Sequence, residues 1–268
     1  MARRVAVRVK RRSHVRMTDA PTPAVPNLAA TVLLLRRGDD GPEVFMVVRH
    51  GDIAFAGGAL VFPGGRLDPG DRDLAERLGL PGDAGALRIC ALRETFEEAA
   101  ILFAHGPVPR NAATWQAKLC ADEISFAALI EGLGVQAAPE ALVHFAHWIT
   151  PPTRPKRFDT HFFLAVAPED QDSAHDGGEA VDSLWINPRR ALAEADAGRR
   201  KLVVATRLNL MRLARFDSVD AILAHAAVTP VVTIEPRSKA VPEGRLMMLP
   251  LAAGYGLETF LSTDPASI

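Results

Sequence analysis

Arg93-Glu94-Thr95-Phe96-Glu97-Glu98-Ala99-Ala100-Ile101 is the stretch on which the reading of this chain turns. On a helix, Glu94, Glu97 and Glu98 share one face, while Cys90, Ala91, Phe96 and the run from Ala99 to Leu102 supply apolar cover elsewhere. Three carboxylates so close repel one another, and a divalent cation relieves the repulsion. The same acids could form an ordinary solvated face, with Arg93 and Glu97 as an i,i+4 ion pair contributing about 0.3 kcal/mol. Phe62-Pro63-Gly64-Gly65 upstream argues against that blander reading, because glycines let the backbone approach a cation-bound phosphate with no side chain in the way.

These residues resemble the Nudix box, in which a glycine is followed by five residues, a glutamate, seven residues and then R-E-U-x-E-E-x-G-U, with U apolar. Arg93 to Ile101 reproduces the second half, with Thr95 at the aliphatic position and Ala100 at the glycine. Asp71 follows Gly65 after five residues and supplies a carboxylate one methylene shorter than the pattern. Asp71 and Arg93 are then separated by 21 residues rather than seven. Without an insertion, Gly79 would be the box glycine and Gly85 would stand where the glutamate belongs. The box therefore reads as split, with a short helix over Leu74 to Leu80 ended by Gly79 and Pro81-Gly82. An interrupted box of this kind is similar to that of coenzyme A diphosphatase-like Nudix proteins.

The resemblance implies an α/β fold: a Nudix-type α/β/α sandwich with a mixed central sheet, a short helical insertion in the box and a C-terminal helical elaboration. It implies Mg²⁺ or Mn²⁺ held by Glu94, Glu97 and Glu98, with Glu94 a ligand or a general base. Oxygen ligands suit those hard ions. Arg93 is expected to orient the glutamates. Asp71 is expected to hold the glycine loop or to bind metal through water, and Gly64 and Gly65 to present main-chain groups to a pyrophosphate.

A base from outside the box is expected in the segment Gln171 to Glu179, with Glu179 preferred to Asp172, His175 and Asp176. Arg49 and Arg157 are expected to bind peripheral phosphates, ahead of His50, Arg66, Arg154 and Lys156. Phe55, Trp148 and Phe158 are candidates for stacking on a base or lining a pantetheine channel. The implied reaction is hydrolysis of a small-molecule nucleoside diphosphate derivative. CoA or acyl-CoA, cleaved to 3′,5′-ADP and (acyl-)4′-phosphopantetheine, is the foremost substrate. ADP-ribose, dinucleoside polyphosphates and nucleotide sugars stay open, as does a nucleotide-binding protein without turnover.

Composition agrees with a globular chain: 268 residues, 48% hydrophobic, 24% charged, net charge −1. Near-neutral charge argues against a dedicated nucleic-acid partner, and no segment has the length of a membrane span. Cys90 and Cys120 have no metal-ligand spacing, and both are expected as buried thiols. The first eighteen residues hold seven Lys or Arg and no acid. They read as an organelle-targeting presequence, a membrane or nucleic-acid arm, translation ahead of Met17, or the disordered tail of a bacterial cytoplasmic protein, the reading preferred here. The expected layout is a basic, Pro-rich tail over 1–26 and one Nudix domain with its extension over 27–268. Homodimerisation is a reasonable expectation at this size.

Strands are expected at Ala29 to Leu35, Val44 to Val48, Leu142 to Ile149, Phe158 to Val166 and Val181 to Ile186, with strands or extended tail at Val228 to Ile234 and Arg245 to Leu249. Helices are expected at Leu87 to Phe103, Trp115 to Leu133, Asn187 to Ala197, Lys201 to Ala214 and Val219 to Ala227.

Overall fold

The computed structural model describes residues 23–49, 58–108, 112–171, 173 and 180–263. Nearly all of the basic tail, and with it Glu179, His50 and Phe55, lies outside the described residues.

Strands β1 (Asn27–Gly38) and β2 (Gly41–Arg49) form an antiparallel hairpin. Val32, Leu33, Leu34 and Leu35 are fully buried, as a strand covered on both faces requires. Strands β3 (Leu60–Val61) and β4 (Gly64–Arg66) follow, then helices α1 (Pro69–Arg77) and α2 (Gly82–Ala99). Next come β5 (Ala104–His105), α3 (Ala112–Cys120), α4 (Phe126–Leu133) and β6 (Gln136–Ala137), with β5 and β6 paired. Strands β7 (Val143–Ile149), β8 (Phe158–Val166) and β9 (Ala180–Ile186) return to the sheet. Helices α5 (Pro188–Asp196), α6 (Val204–Leu213) and α7 (Val219–Val228) precede β10 (Thr233–Ile234). A separate antiparallel sheet of β11 (Arg237–Val241), β12 (Gly244–Met248) and β13 (Thr259–Ser262) ends the described chain.

The central sheet runs β10-β7-β8-β1-β2-β3, with β4 also on β1 and β9 also on β2. It is mixed: β1 with β8 and β7 with β10 are parallel, the remaining pairs antiparallel. One core packs the buried face of α2, including Ile89, Leu92 and Phe96, against Ala30, Val32, Leu34 and Phe163 of the sheet. The other packs Leu208, Leu213 and Ile222 of α6 and α7 against Leu33, Leu35 and Leu164 on the opposite face. The α/β/α sandwich is thus present, and the C-terminal helices are its second outer layer. No helix among the described residues is long and apolar enough to cross a membrane.

Several elements differ from expectation. The helix expected over Leu87 to Phe103 begins at Gly82 and stops at Ala99, because Ala100 adopts φ 58° and donates its N–H to the Phe96 carbonyl at 3.0 Å. The segment expected as one helix over Trp115 to Leu133 is two, broken where Asp122 turns to φ 55° and Ser125 caps α4 through the Ala128 N–H at 3.2 Å. The insertion helix begins at Pro69, earlier than Leu74, because Asp68 caps it. The helix expected from Lys201 starts at Val204. Helix α7 continues through Val228, leaving only Thr233–Ile234 of the strand expected from Val228. Cys90 is buried as expected, but Cys120 at the end of α3 is exposed.

A left-handed backbone costs an L-residue about 1–2 kcal/mol, part of which glycine recovers. Glycine also loses more unfolded-state entropy and here would forfeit a mostly buried methyl group. Ala100→Gly should therefore raise stability by about 0.5–1 kcal/mol in urea denaturation. A destabilised variant would mean that the methyl packing outweighs the dihedral relief.

Candidate active site

The insertion is a helical hairpin that returns the chain so that Asp71 faces Arg93. Pro69 occupies the first turn of α1, and Asp68 caps the helix by accepting the Gly70 N–H at 2.8 Å. Asp71 closes the capping box by accepting the Asp68 N–H at 2.9 Å through Oδ2. It is 2% exposed, and Arg93 neutralises it side-on, with Nε 2.9 Å from Oδ1 and Nη2 3.0 Å from Oδ2. The two halves of the split box are therefore joined by a bidentate ion pair. The contiguous alternative fails on sterics: a Cβ at Gly85 would meet the Leu80 carbonyl oxygen at 1.8 Å, so no glutamate fits there.

Arg93 also reaches forward along its own helix. Its Nη1 lies 2.8 Å from Glu94 Oε1 and 2.9 Å from Glu97 Oε2, and its Nη2 donates to the Arg66 carbonyl at 2.9 Å. One guanidinium thus links the capping carboxylate, two box glutamates and strand β4, which carries Gly64 and Gly65. Asp71 serves here by holding Arg93 and capping α1, which accounts for its burial without a metal contact of its own.

The glycine turn presses directly on the acids. A Cβ on Gly65 would sit 2.4 Å from Glu94 Oε1, and one on Gly64 would meet the Ala30 carbonyl oxygen at 2.4 Å. The Gly64 N–H donates to Glu98 Oε2 at 3.2 Å. The register that brings this about pairs Thr31 with Gly64, Ala30 with Gly65 and Ala29 with Arg66. At the other end of the acidic run, the Glu97 carbonyl accepts from Gln116 Nε2 of α3 at 2.9 Å.

Burial sets the electrostatics. Desolvation pushes Glu94 up to about 7, Arg93 opposes the shift, and the charge of Glu97 adds to it. Glu97 is also raised, again by burial and against Arg93. A buried carboxylate that holds its proton near neutral pH beside a second acid fits a divalent cation, whose charge would offset the desolvation. Glu94, Glu97 and Glu98 offer the oxygen donors that Mg²⁺ or Mn²⁺ prefers. A cleft of about 430 Å³ opens beside Glu97, lined by Asp68, Asp71, Asp73, Arg93, Asp122 and Phe126 among others. Its carboxylates outnumber its cations, and it is bounded by Arg93 and Glu97 rather than by Glu94, Glu98 or the two glycines.

The shift of Glu94 has a consequence for folding. Its folded-state pKa lies above the ordinary 4.5, so in metal-free protein its contribution to stability is complete below about pH 4.5 and is lost as pH rises through about 7. The size is roughly 3 kcal/mol by linkage. His144 and His161, lowered mainly by burial, act oppositely below pH 6.5. Glu94 is therefore read from the difference between wild type and Glu94→Gln in chelator-treated melts. That difference should move against the wild type between pH 5 and pH 8; a pH-independent difference would show that Glu94 titrates normally.

Arg157 and Trp148 are not gathered here. Arg157 is 8% exposed, and its guanidinium donates to the Thr150 carbonyl at 2.9 Å, the Ala24 carbonyl at 2.8 Å and Glu235 at 2.6 Å. It closes the β7–β8 hairpin against the chain entering β1, and none of these partners belongs to the box. Trp148 is a core residue whose Nε1 donates to the buried Tyr255 hydroxyl at 3.0 Å, so it does not stack on a ligand. Arg49 ends β2, where its N–H and carbonyl bond to Ala59 and Gly58 at 3.1 and 3.0 Å. Glu179 lies outside the described residues, but Gln171 at the start of its segment is pinned, exchanging bonds with Leu102 N–H and carbonyl at 2.8 and 2.9 Å. Gln116 was not anticipated, since an amide in an amphipathic helix gives no sequence signal for a carbonyl on the preceding helix.

Residues 71–206, half of the chain, match the NUDT19 Nudix domain. The acyl-coenzyme A diphosphatase NUDT19 of Gallus gallus is 30% identical over 184 residues, covering 59% of this chain and 48% of that protein. Its Homo sapiens counterpart is 29% identical over 208 residues, covering 57% and 55%. The chain thus spans about half the length of these curated relatives. The crystal structure of a NUDIX hydrolase from Alicyclobacillus acidocaldarius is similar with a TM-score of 0.68 at 30% identity, covering 76% of this chain and 97% of that one. With Asp71 standing at the first matched residue and Arg93 tying it to the acidic helix, the chain belongs to the Nudix hydrolase family.

Proposed function

We propose that this protein is a metal-dependent diphosphatase that hydrolyses CoA or acyl-CoA to 3′,5′-ADP and (acyl-)4′-phosphopantetheine. The observation that carries the chemistry is that Glu94 packs against Gly65 and Glu98 accepts the Gly64 N–H, while Arg93 holds Glu94 and Glu97. The substrate class rests on the likeness to relatives named acyl-coenzyme A diphosphatase and on the interrupted box.

Mg²⁺ or Mn²⁺ held by Glu94, Glu97 and Glu98 would offset phosphoryl charge and acidify a coordinated water. Arg93 fixes the rotamers of Glu94 and Glu97 and supplies positive charge beneath them. Glu94 is either one of the cation's ligands or, in its ionised form, the general base that takes a proton from the attacking water. Gly64 and Gly65 leave the approach to these acids free of side chains. Arg49 is retained as a phosphate-binding candidate and Glu179 as a further base, whereas Arg157 has a structural role that accounts for its burial. The bacterial cytoplasmic setting and a homodimer belong to the proposal on composition and size alone; the matched NUDT19 relatives come from animals.

The test is hydrolysis of CoA, acetyl-CoA, ADP-ribose, NADH and diadenosine polyphosphates with Mg²⁺ or Mn²⁺, products resolved by mass. Release of 3′,5′-ADP from the CoA species in preference to other products supports the assignment. Preference for ADP-ribose, giving AMP and ribose 5-phosphate, would overturn the substrate while keeping the family chemistry.

A further inference from the structure

The strand pair β7 and β8 carries a second group of ligating side chains that the diphosphatase chemistry does not use. His144 and His147 stand on β7, Asp159 and His161 on β8. A register shift between His144 and Ala146 turns His147 onto the face of His144 and sets it opposite His161, with ring centroids 4.0 Å apart. His147 Nε2 lies 2.5 Å from Asp159 Oδ1, and His161 Nε2 lies 3.6 Å from the same oxygen. Among the described residues these three form a group whose ligand atoms all fall within 4.8 Å of one another.

The outer nitrogens of both imidazoles are held as well. His147 Nδ1 shares a hydrogen bond with Thr233 Oγ1 of β10 at 2.8 Å, and His161 Nδ1 with His144 Nε2 at 3.1 Å. Such bonds fix the ring orientation of ligating histidines and leave Nε2 to the ion. Here His147 Nε2 is bonded to the Asp159 oxygen, and His161 Nε2 lies 3.6 Å from the same atom. The three side chains are 15%, 24% and 21% exposed, so an ion can reach them and a fourth position can face solvent.

We propose that His147, Asp159 and His161 bind one divalent first-row transition ion, zinc before the others, at a site distinct from Glu94, Glu97 and Glu98. Two imidazoles and one carboxylate suit zinc, whereas three carboxylates suit magnesium or manganese. Around a tetrahedral ion the donors stand roughly 3.3 Å apart, each ~2.0 Å from the metal, so the ion replaces the proton shared by His147 and Asp159 with a small separation of the two. The sites are separated by β1: His161 and Gly65 pair with the same residue, Ala30, from its two sides. The ion would tie β7 to β8 and, through Thr233, to β10.

The experiment is equilibrium dialysis of the full chain against Zn²⁺ with Mg²⁺ in excess, followed by metal analysis and zinc-edge X-ray absorption. One zinc per chain with imidazole nitrogen in its shell is expected in the wild type and in Glu98→Gln. The double variant His147→Ala/His161→Ala should lose that zinc. Thr233→Val, which removes only the outer bond of His147, should weaken binding about 10- to 100-fold. A wild type that takes up no zinc, zinc bound through oxygen alone, or uptake unchanged in the double variant would each overturn the proposal. The absorption spectrum of the wild type decides the matter even if the double variant does not fold.

Discussion

Arg93→Ala is expected to lower the folding stability by about 3–5 kcal/mol, the range for removing one partner of a buried ion pair. The reason is what the guanidinium leaves behind. Asp71 is 2% exposed, and its two oxygens face the arginine at 2.9 and 3.0 Å. Without that charge, a buried carboxylate that also caps α1 has only the Asp68 N–H to stabilise it. Glu94 and Glu97 lose their shared donor at the same time, and mutual repulsion drives both toward protonation. Lysine is a poor substitute, because an ammonium cannot bond side-on to Asp71 while bridging two glutamates and the Arg66 carbonyl. Arg93→Lys should therefore recover less than half of the loss, and Asp71→Asn, which keeps a capping oxygen, should be milder than Arg93→Ala. Urea denaturation of the three variants in chelator checks the order. An Arg93→Ala protein within 1 kcal/mol of wild type would show that the pair holds geometry without holding the fold.

The sheet strands were legible because burial writes itself into sequence: continuous apolar runs such as Val32 to Leu35 and Phe162 to Val166 admit few other readings. The acidic face of α2 was legible for the complementary reason, since charged residues at helical spacing next to a Gly-Gly turn are hard to explain otherwise. Helix ends were less so. Ala100 ends α2 through a left-handed dihedral that its side chain does not announce, and Asp122 breaks the helix after α3 in the same way. Arg157 misled because a basic loop residue looks the same whether its guanidinium meets phosphate or two carbonyls and a glutamate of its own chain. The short strands β11 and β13 have too few residues for a period to emerge, whereas β10 and β12 overlap the segments expected at Val228 to Ile234 and Arg245 to Leu249. The pairing of Asp71 with Arg93, across 21 intervening residues, depends on how α1 packs against α2, which no local pattern encodes.

Glu98→Gln should reduce kcat by about 10²- to 10³-fold, the scale for losing one preorganised electrostatic group, while leaving the fold intact. Glutamine preserves the side-chain oxygen that accepts the Gly64 N–H, so the glycine turn stays in place. What it removes is the negative charge. The variant thus separates two jobs that the wild-type residue could combine: holding the turn and holding a cation. If Glu98 only holds the turn, Glu98→Gln works at close to the wild-type rate. If it ligates the cation, the rate collapses and the Mg²⁺ concentration for half-maximal activity rises, with the metal-free melting temperature little changed. Glu97→Gln should show the same loss with an added cost in the apo protein, because Glu97 Oε2 faces Arg93 at 2.9 Å and an amide in its place weakens that contact. A titration of activity against Mg²⁺ for both variants, set beside their melts, tells ligation from support; near wild-type rates at low Mg²⁺ in both would remove the acidic helix from the chemistry.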